Sequence, residues 1–491
     1  MKHTVSLAAT LAAITLSFST TFGQPSLTKI DINPSAGSSP EMLTTALNRL
    51  YFYADNGAAG KELMVYDGTG VSLVADLVPG SGGLADLSNI CELNGKIYFA
   101  APAAGAGIEL FAYDGVNPPV LAKDVVPGAT SSFPTNLVAL NNVLYFRTRT
   151  ANFHSDIYSY NPATGQLQLI ATNPAEPMQG LELMVHNNKV CFSSQVNTVS
   201  APGDGLYSFD PATNSLDTII ELDPHTGRPF GYLVDSGILY FIYSTTADGW
   251  ELYKYDGVNP PVMLTNFPGL KGLRFKSRIG KLQDRILMTV HGATAVENYF
   301  AIYDNSSATV TMLDTTYAYM GSGFGLYNNR MYFGFEENQE IPLFTYDGMK
   351  HHRLSDDVSA AKTISLPDEF QVFQGDLYFA AQVAGQDREL YKFNDANLSV
   401  KRVKDISSLV LYPNPASSDA TISFTLKQAT KLIAQLTDMQ GRVVYATKSL
   451  QYTPGQQEIK MPVQEFAPGI YIYAVMNEAG EILAQGQLIK K

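Results

Sequence analysis

Carboxylates are the most conspicuous chemical groups in this chain, and they recur. Glu62, Glu109, Glu251 and Glu389 each open a Glu-Leu segment, and Asp67, Asp114, Asp256 and Asp347 each stand in a Tyr-Asp-Gly triplet. A carboxylate pair that performs acid–base chemistry occurs once, at one special place. Acids that return at equivalent positions are expected to serve structure: the aspartates by holding turn amides, the glutamates by pairing across a unit interface. Calcium is compatible with such turns, but no Asp-rich loop of the usual ligand spacing is present, so no cofactor is expected. Other chemistry is equally sparse. The chain has no His-Glu-x-x-His, no phosphate-binding loop and no Gly-x-Ser-x-Gly. The glycine-rich Gly321–Gly325 reads as a turn. His351 and His352 are adjacent and so point to opposite faces of a strand, which suits two half-exposed surface side chains better than one metal. Trp250, the single tryptophan, is expected to pack between units rather than to form a sugar platform. Cys91 and Cys191 read as buried, unpaired thiols, and no Cys/His spacing suggests zinc. No catalytic, cofactor-binding or metal-binding residue is assigned.

The elements that carry these residues repeat. A Tyr-Phe-type strand recurs with its first aromatic position at 51, 98, 145, 191, 240, 287, 332 and 378, a period of 45 to 49 residues. Asn-Gly, Asn-Asn or Gln-Gly precedes most copies, as a tight hairpin with positive φ requires. A second aromatic strand follows each copy and ends in Asp-Gly or Asn-Pro. A third piece follows in several copies, at 73–81, 120–128 and 400–407. The strands offer large apolar groups on both faces, which is the pattern of sheets covered on both sides. Four short strands per unit at this period predict a β-propeller of eight four-stranded blades. An extra early strand at 27–35 is expected to pair with the last blade and close the ring. Cys91 and Cys191 then lie two units apart, too far for a disulfide. The near-identical Asp114–Val120 and Asp256–Val262 segments carry paired prolines that stiffen a connection.

The units resemble bacterial surface repeats of the Glu-Leu-Trp-x-x-Asp-Gly-Thr type, best at 62–69, where Thr69 completes the motif. The family's Trp is replaced by Met64, Phe111, Tyr253 and Tyr391. The resemblance implies repeat architecture and an extracellular setting, and no activity.

Composition and termini agree with export. Lys2 and His3, an apolar run from Val5 to Phe18 and the small residues before Gln24 read as a signal peptide over 1–23. No later stretch is long enough to span a membrane, so the mature chain is expected to be soluble. Residues 24–406 hold 25 Lys+Arg and 40 Asp+Glu, a net of −15. Such a surface repels phosphate backbones and anionic lipid, so nucleic acid is not expected as a partner.

After residue 406 the repeat stops. Ile422, Phe424 and Leu426 alternate onto one face, Asp438 to Gly441 makes a hairpin loop, and Pro468-Gly469 opens the penultimate strand. About seven short strands over 407–491 are expected to form a small immunoglobulin-like β-sandwich. Tyr412-Pro413-Asn414-Pro415, Asp438-x-x-Gly441-Arg442-x-Val444, Pro468-Gly469-x-Tyr471 and the basic end Lys490-Lys491 resemble the C-terminal sorting domain of the type IX secretion system of Bacteroidota. The resemblance implies that the secretion machinery is a partner. It also implies passage across the outer membrane, then release or surface anchoring.

The fold class expected is thus all-β: an eight-bladed propeller over 24–406, then a sandwich. The expected function is a non-enzymatic binding platform for a glycan, a peptide or another surface protein. The alternative is a secreted carbohydrate-active hydrolase or lyase with its site at the central channel, built from residues that break the repeat. A stalk or spacer within a surface layer is a third reading.

Overall fold

The computed structural model describes residues 25–395 and 406–491, apart from 86, 150–154, 173–181, 199–200, 222–228, 246–248, 268–271, 274–278, 292–297, 315–319, 336–339, 349–350, 357, 384–387, 427, 439–441 and 478–481. The expected signal peptide lies outside the described residues, as does Gly441. The described chain is strand and turn, with two short 3-10 segments at Leu354–Asp356 and Ser359–Thr363.

Up to residue 394 the chain forms consecutive antiparallel meanders. The first consists of strands Glu41–Ala46, Arg49–Asp55, Lys61–Tyr66 and Val71–Ala75. Equivalent units follow at 91–123, 135–171, 183–221, 230–263, 280–314, 320–353 and 364–394. The fifth and sixth merge into one nine-stranded sheet through Gly272–Leu273, which pairs with Trp250 on one side and Val290 on the other. The last unit contributes three strands of its own, and its fourth is Ser26–Ile30, in register Leu27 opposite Phe393. The early strand therefore closes the last sheet, as expected. It also occupies the place that the sequence assigned to 400–407. Residues 400–405 lie outside the described residues, and Ile406 begins the first strand of the next sheet.

The hairpins explain the Asn-rich turns. Leu47-Asn48, Asn94-Gly95, Asn141-Asn142, Asn187-Asn188, Ser236-Gly237, Asn328-Asn329 and Gln374-Gly375 all have positive φ. Two left-handed residues in succession give the turn whose twist matches the strands it joins, and Asn and Gly adopt it at least cost.

The second strand of each unit is buried on both faces. Leu50, Tyr51, Phe52, Tyr53 and Ala54 are all fully buried. Odd and even positions feed different clusters. Tyr51 and Tyr53 pack with Ile97 and Phe99 of the second unit, whereas Leu50 and Phe52 pack with Phe373, Tyr378 and Leu390 of the last. Similar clusters join every consecutive pair of units, and the one holding Tyr66 against Tyr378, with ring centroids 5.6 Å apart, joins first to last. The arrangement is propeller-like. Trp250 packs edge-on against Phe230 at 5.0 Å, within the cluster shared by the fifth and sixth units. Cys91 and Cys191 are free thiols in different clusters, and burial pushes them up to about 11 and about 12.

The recurrent acids have two structural tasks. Asp67, Asp114 and Asp256 each close their own turn. Asp67 accepts from the Thr69 amide (2.8 Å), the Thr69 hydroxyl (2.7 Å) and the Gly70 amide (3.0 Å), and Asp114 and Asp256 do the same for Val116-Asn117 and Val258-Asn259. These bonds to the charged form hold all three carboxyls down at about 2. The glutamates depart from expectation. Rather than pairing across an interface, each fully buried Glu fastens backbone of a connecting segment. Glu109 accepts from the Val125 amide (2.8 Å), the Ser132 amide (2.8 Å) and the Ser132 hydroxyl (2.6 Å). Glu62 accepts from Leu77 and Val78, and Glu251 from Thr265 and Phe267. Glu389 accepts from the Ser38 hydroxyl, just after the closing strand. Burial raises Glu62, Glu109 and Glu389 above the usual carboxylate value, partly offset by these bonds.

The C-terminal region is two sheets. Ile406–Tyr412, Asp419–Leu426 and Gly455–Pro462 form one; Val443–Ala446, Thr430–Asp438, Gly469–Asn477 and Ile482–Lys490, with Leu450–Tyr452 attached, form the other. Among the described residues this region has eight strands, against the about seven expected. Ile422, Phe424, Leu426, Leu436, Tyr473, Val475 and Leu488 share a single apolar cluster between the sheets.

Two measurements test these roles. Glu109→Gln replaces an acceptor of three hydrogen bonds by a group with one acceptor oxygen and a misplaced donor; a loss of about 1–3 kcal/mol in denaturant unfolding is expected. In carboxyl-resolved NMR titration, Asp67, Asp114 and Asp256 are expected to protonate near about 2, below their unfolded value, and Glu109 above its own. The aspartate contribution to stability is then fully present above the unfolded aspartate value and disappears as pH falls through about 2.

Candidate functional site

The first strand of each unit is the innermost, and these strands surround a central cavity of about 420 Å³. Met42, Leu43 and Thr44 line it from the first unit, Asn89 from the segment before the second, Glu182 from that before the fourth, and Tyr232 from the fifth. Ile279, Phe324, Glu369, Phe370 and Gln371 complete the wall. Bulges shape it. The pairing shifts register at Glu41/Thr44, Thr135/Val138, Phe230/Leu233, Met320/Phe324 and twice in Ile364–Phe373. Met42, Asn136, Gly231 and Glu369 take positive φ at or beside these shifts. A bulge turns side chains out of the strict alternation, so the lining could not be read from a period of two. Asn136 and Gly231 are the residues whose types hint at it.

Gly321–Gly325 belongs to this wall. It is not a turn but part of the innermost strand Met320–Tyr327. Its glycines make room: a Cβ on Gly325 would sit 2.7 Å from Cβ of Phe370, and one on Gly280 would sit 2.6 Å from the Phe324 ring. Phe324 and Phe370 thus each lie over a glycine of the preceding unit. Asn89 ties neighbouring inner strands together, its amide donating to the Leu137 carbonyl (2.8 Å) and accepting from the Leu137 amide (2.7 Å).

No histidine is among the described residues that line this cavity. His351 is half-buried against Phe300, Phe335 and Phe344, at centroid distances of 5.7, 6.1 and 6.1 Å. Among the described residues no group of three or more His, Cys, Asp or Glu gathers as a metal site.

The motifs singled out in the C-terminal region converge on one end of the larger sheet. Asp438 lies opposite Tyr471, and Gly469 opposite Lys490. The segment from Tyr412 to Pro415 runs beside the last strand: Asn414 Oδ1 accepts from the Ile489 amide (2.8 Å), and Ala416 bridges Lys490. Asp438 closes its hairpin by accepting from the Arg442 amide (3.0 Å) and guanidinium (2.8 Å). Tyr471 is buried and donates to the Ala467 carbonyl (2.9 Å), whereas Tyr412 is exposed and donates to Glu458 (2.7 Å). Pro413, Pro415 and Pro468 are exposed; Lys490 is buried, its amine donating to the Lys491 carbonyl. On the outer face of this end Ile470 and Ile489 stand directly opposite each other, 43% and 42% exposed, with Val443 nearby by register. Single motifs were legible in the sequence; this exposed apolar pair was not, because Ile at alternate positions reads as core.

The chain is therefore an all-β protein with a propeller-like body and a two-sheet C-terminal region. Residues 410–491 match the family model described as the secretion system C-terminal sorting domain. Such a tail implies handling by the type IX secretion system, export, and a surface or secreted location. No helix among the described residues is long and apolar enough to cross a membrane. No curated protein matches the chain. Among solved structures it is similar to PorZ, a surface component of the type IX secretion system of Porphyromonas gingivalis, at 13% identity and TM-score 0.40 over 90% of this chain and 68% of that one. It is similar to the β-propeller domain of the trilobed protease of Pyrococcus furiosus at 13% and 0.38, over 65% and 98%. It is also similar to an oligogalacturonate lyase of Vibrio parahaemolyticus at 9% and 0.44, over 76% and 97%. At these values the likenesses concern fold and carry no argument about activity.

Replacing Ile470 and Ile489 together by Asp is expected to leave the isolated C-terminal region folded, since both face solvent, and to strand the chain in the periplasm. Cell fractionation checks it; normal export of the variant would remove any role for this face.

Proposed function

We propose that this chain is a secreted or surface-displayed protein whose body is a closed eight-bladed β-propeller over 24–406 and acts as a binding platform. An immunoglobulin-like sandwich over 407–491 serves as its sorting signal, and a signal peptide over 1–23 starts its export. The observation that carries the binding reading is the lining of the central cavity. Residues repeated from unit to unit are spent on packing, turns and connectors. The cavity wall does not repeat: the inner strands and the segments leading into them offer Met42, Asn89, Glu182, Tyr232, Phe324 and Phe370. Loss of symmetry at a concave surface, inside a body that keeps it elsewhere, marks recognition.

The wall combines aromatic rings, amides and carboxylates, with no lysine, arginine or histidine among the described lining residues. Neutral glycans and basic peptide segments suit it, because amides and carboxylates accept hydroxyl or ammonium protons while the rings cover apolar faces. Polyuronates and phosphorylated ligands meet like charge. A secreted glycan-cleaving enzyme is the second reading, favoured by Glu182 and Glu369 facing one cavity.

The test is a panel of neutral oligosaccharides and lysine-containing peptides against the full mature chain, read both for binding and for product release. Phe370→Ala is expected to weaken binding about tenfold, as loss of a stacked ring does. Product formation abolished by Glu182→Gln or Glu369→Gln would overturn the platform reading in favour of the enzyme.

A further inference from the structure

Four junctions between units are bridged at the rim that carries the Asp-Gly turns. Arg49 of the first unit donates to the Gly115 carbonyl of the second (3.1 Å), and Arg285 of the sixth donates to Gly348 of the seventh. Asn187 of the fourth donates to Asp256 of the fifth (2.9 Å), and Gln374 of the last donates to Asp67 of the first (3.4 Å). Arg49 and Arg285 are the first residues of their units' second strands. In the third unit that position is Val143, in the strand Val143–Arg147. Valine has neither the reach nor the donor to cross to the fourth unit. At that junction a groove of about 170 Å³ lies open.

Its lining differs from the central cavity. Ser159, Asn161, Gln166 and Gln168 of the third unit face Asn214 of the fourth, and Val143, Tyr145 and Phe209 form the floor. No charged residue is among the described residues that line it. Tyr145 and Phe209 are buried and meet at 6.1 Å, so they give an apolar base rather than a protruding platform. Gln168 donates to Asn214 across the groove at 2.7 Å, which places both amides at its mouth.

We infer that this groove between the third and fourth units is a second binding site, for a single neutral sugar ring. Each side-chain amide offers donors and an acceptor together, which matches vicinal hydroxyls that both give and take a proton. The buried rings beneath cover the C–H face of the sugar. The absence of charge in the lining selects neutral rings over uronic acids, and the strongly acidic body around it adds to that choice. An extended peptide fits less well, because it would be held through unpaired backbone groups of a strand edge, and this groove is walled by side chains. Its volume suits one ring and not a chain of them. The site is independent of the central cavity, so the two can fail separately.

The experiment uses the full mature chain titrated with glucose, galactose, mannose and xylose, with galacturonic acid, and with a Gly/Ser peptide, followed by calorimetry and side-chain amide NMR. A neutral sugar is expected to bind with a millimolar dissociation constant and to shift the amide signals of Gln166, Gln168 and Asn214. Gln168→Ala should weaken it about tenfold through the loss of a hydrogen-bonded pair. Val143→Arg places an arm like those of Arg49 and Arg285 in the groove; it should abolish the sugar-induced shifts of these three amides while the protein melts as the parent does. Val262→Ser, at an exposed position of the fifth unit outside both cavities, should leave those shifts unchanged. Undiminished amide shifts in Val143→Arg, their loss in Val262→Ser, stronger shifts with the peptide or galacturonic acid, or no shift of the groove amides with any neutral sugar would each overturn the assignment.

Discussion

Everything in the body depends on sheets buried on both faces. A strand such as Arg49–Asp55 has no solvent side: alternate residues enter two different apolar clusters, one shared with the unit ahead and one with the unit behind. Such a sheet is stable only while both neighbours are present. Burying a tyrosine or phenylalanine removes about 150–250 Å² from water, and nearly every second strand commits two aromatic residues to that burial. The demand can be met by an endless stack or by a ring. Here the cluster between the first and last units, with Tyr66 against Tyr378, makes it a ring.

The rest of the repeated chemistry serves that packing. The turn aspartates hold hairpins in register with hydrogen bonds made inside the turn itself. The buried glutamates pin the stretches that carry the chain from an outer strand to the next inner one, where backbone amides would otherwise be buried without partners. A carboxylate suits this place because it accepts from several amides at once, and its raised protonation value is the mark of the burial that accompanies the task. Positions freed from these duties are the inner strands, whose bulges break the alternation, and the junction where Val143 stands at the place that Arg49 and Arg285 hold in the first and sixth units.

Much of this was legible in the residues. The period, the Asn-rich hairpins, the packing of Trp250, the capping role of Asp67 and the closing strand near Leu27 all follow from spacing and turn chemistry, because they are local or repeated. Less legible were features that depend on a neighbour in space. Glu109 was expected to meet another unit and instead meets the amides of Val125 and Ser132, a choice set by how the connector folds back. Gly321–Gly325 was expected to turn, yet runs as a strand because Phe370 needs its missing side chains. The cavity lining escaped a period-two reading for the same reason: the register shifts are a property of the pairing. In the C-terminal region the separate motifs were plain, while their meeting at one sheet end emerged only from strand order.

The closing sheet also orders events in time. Its pairing joins Ser26 to Asn394, so the strand pairing of greatest sequence separation among the described residues joins the first-made strand of the body to its last. Early units can zip up as local hairpins while the chain is still emerging. Until residue 394 arrives, however, the partial stack carries an apolar flank and an open strand edge, the features that invite sticking between chains. The leading strand must then wait, unpaired, for most of synthesis and export, and its mixed, charge-bearing sequence with Lys29 and Asp31 suits a segment that has to stay soluble alone before it finds its partner.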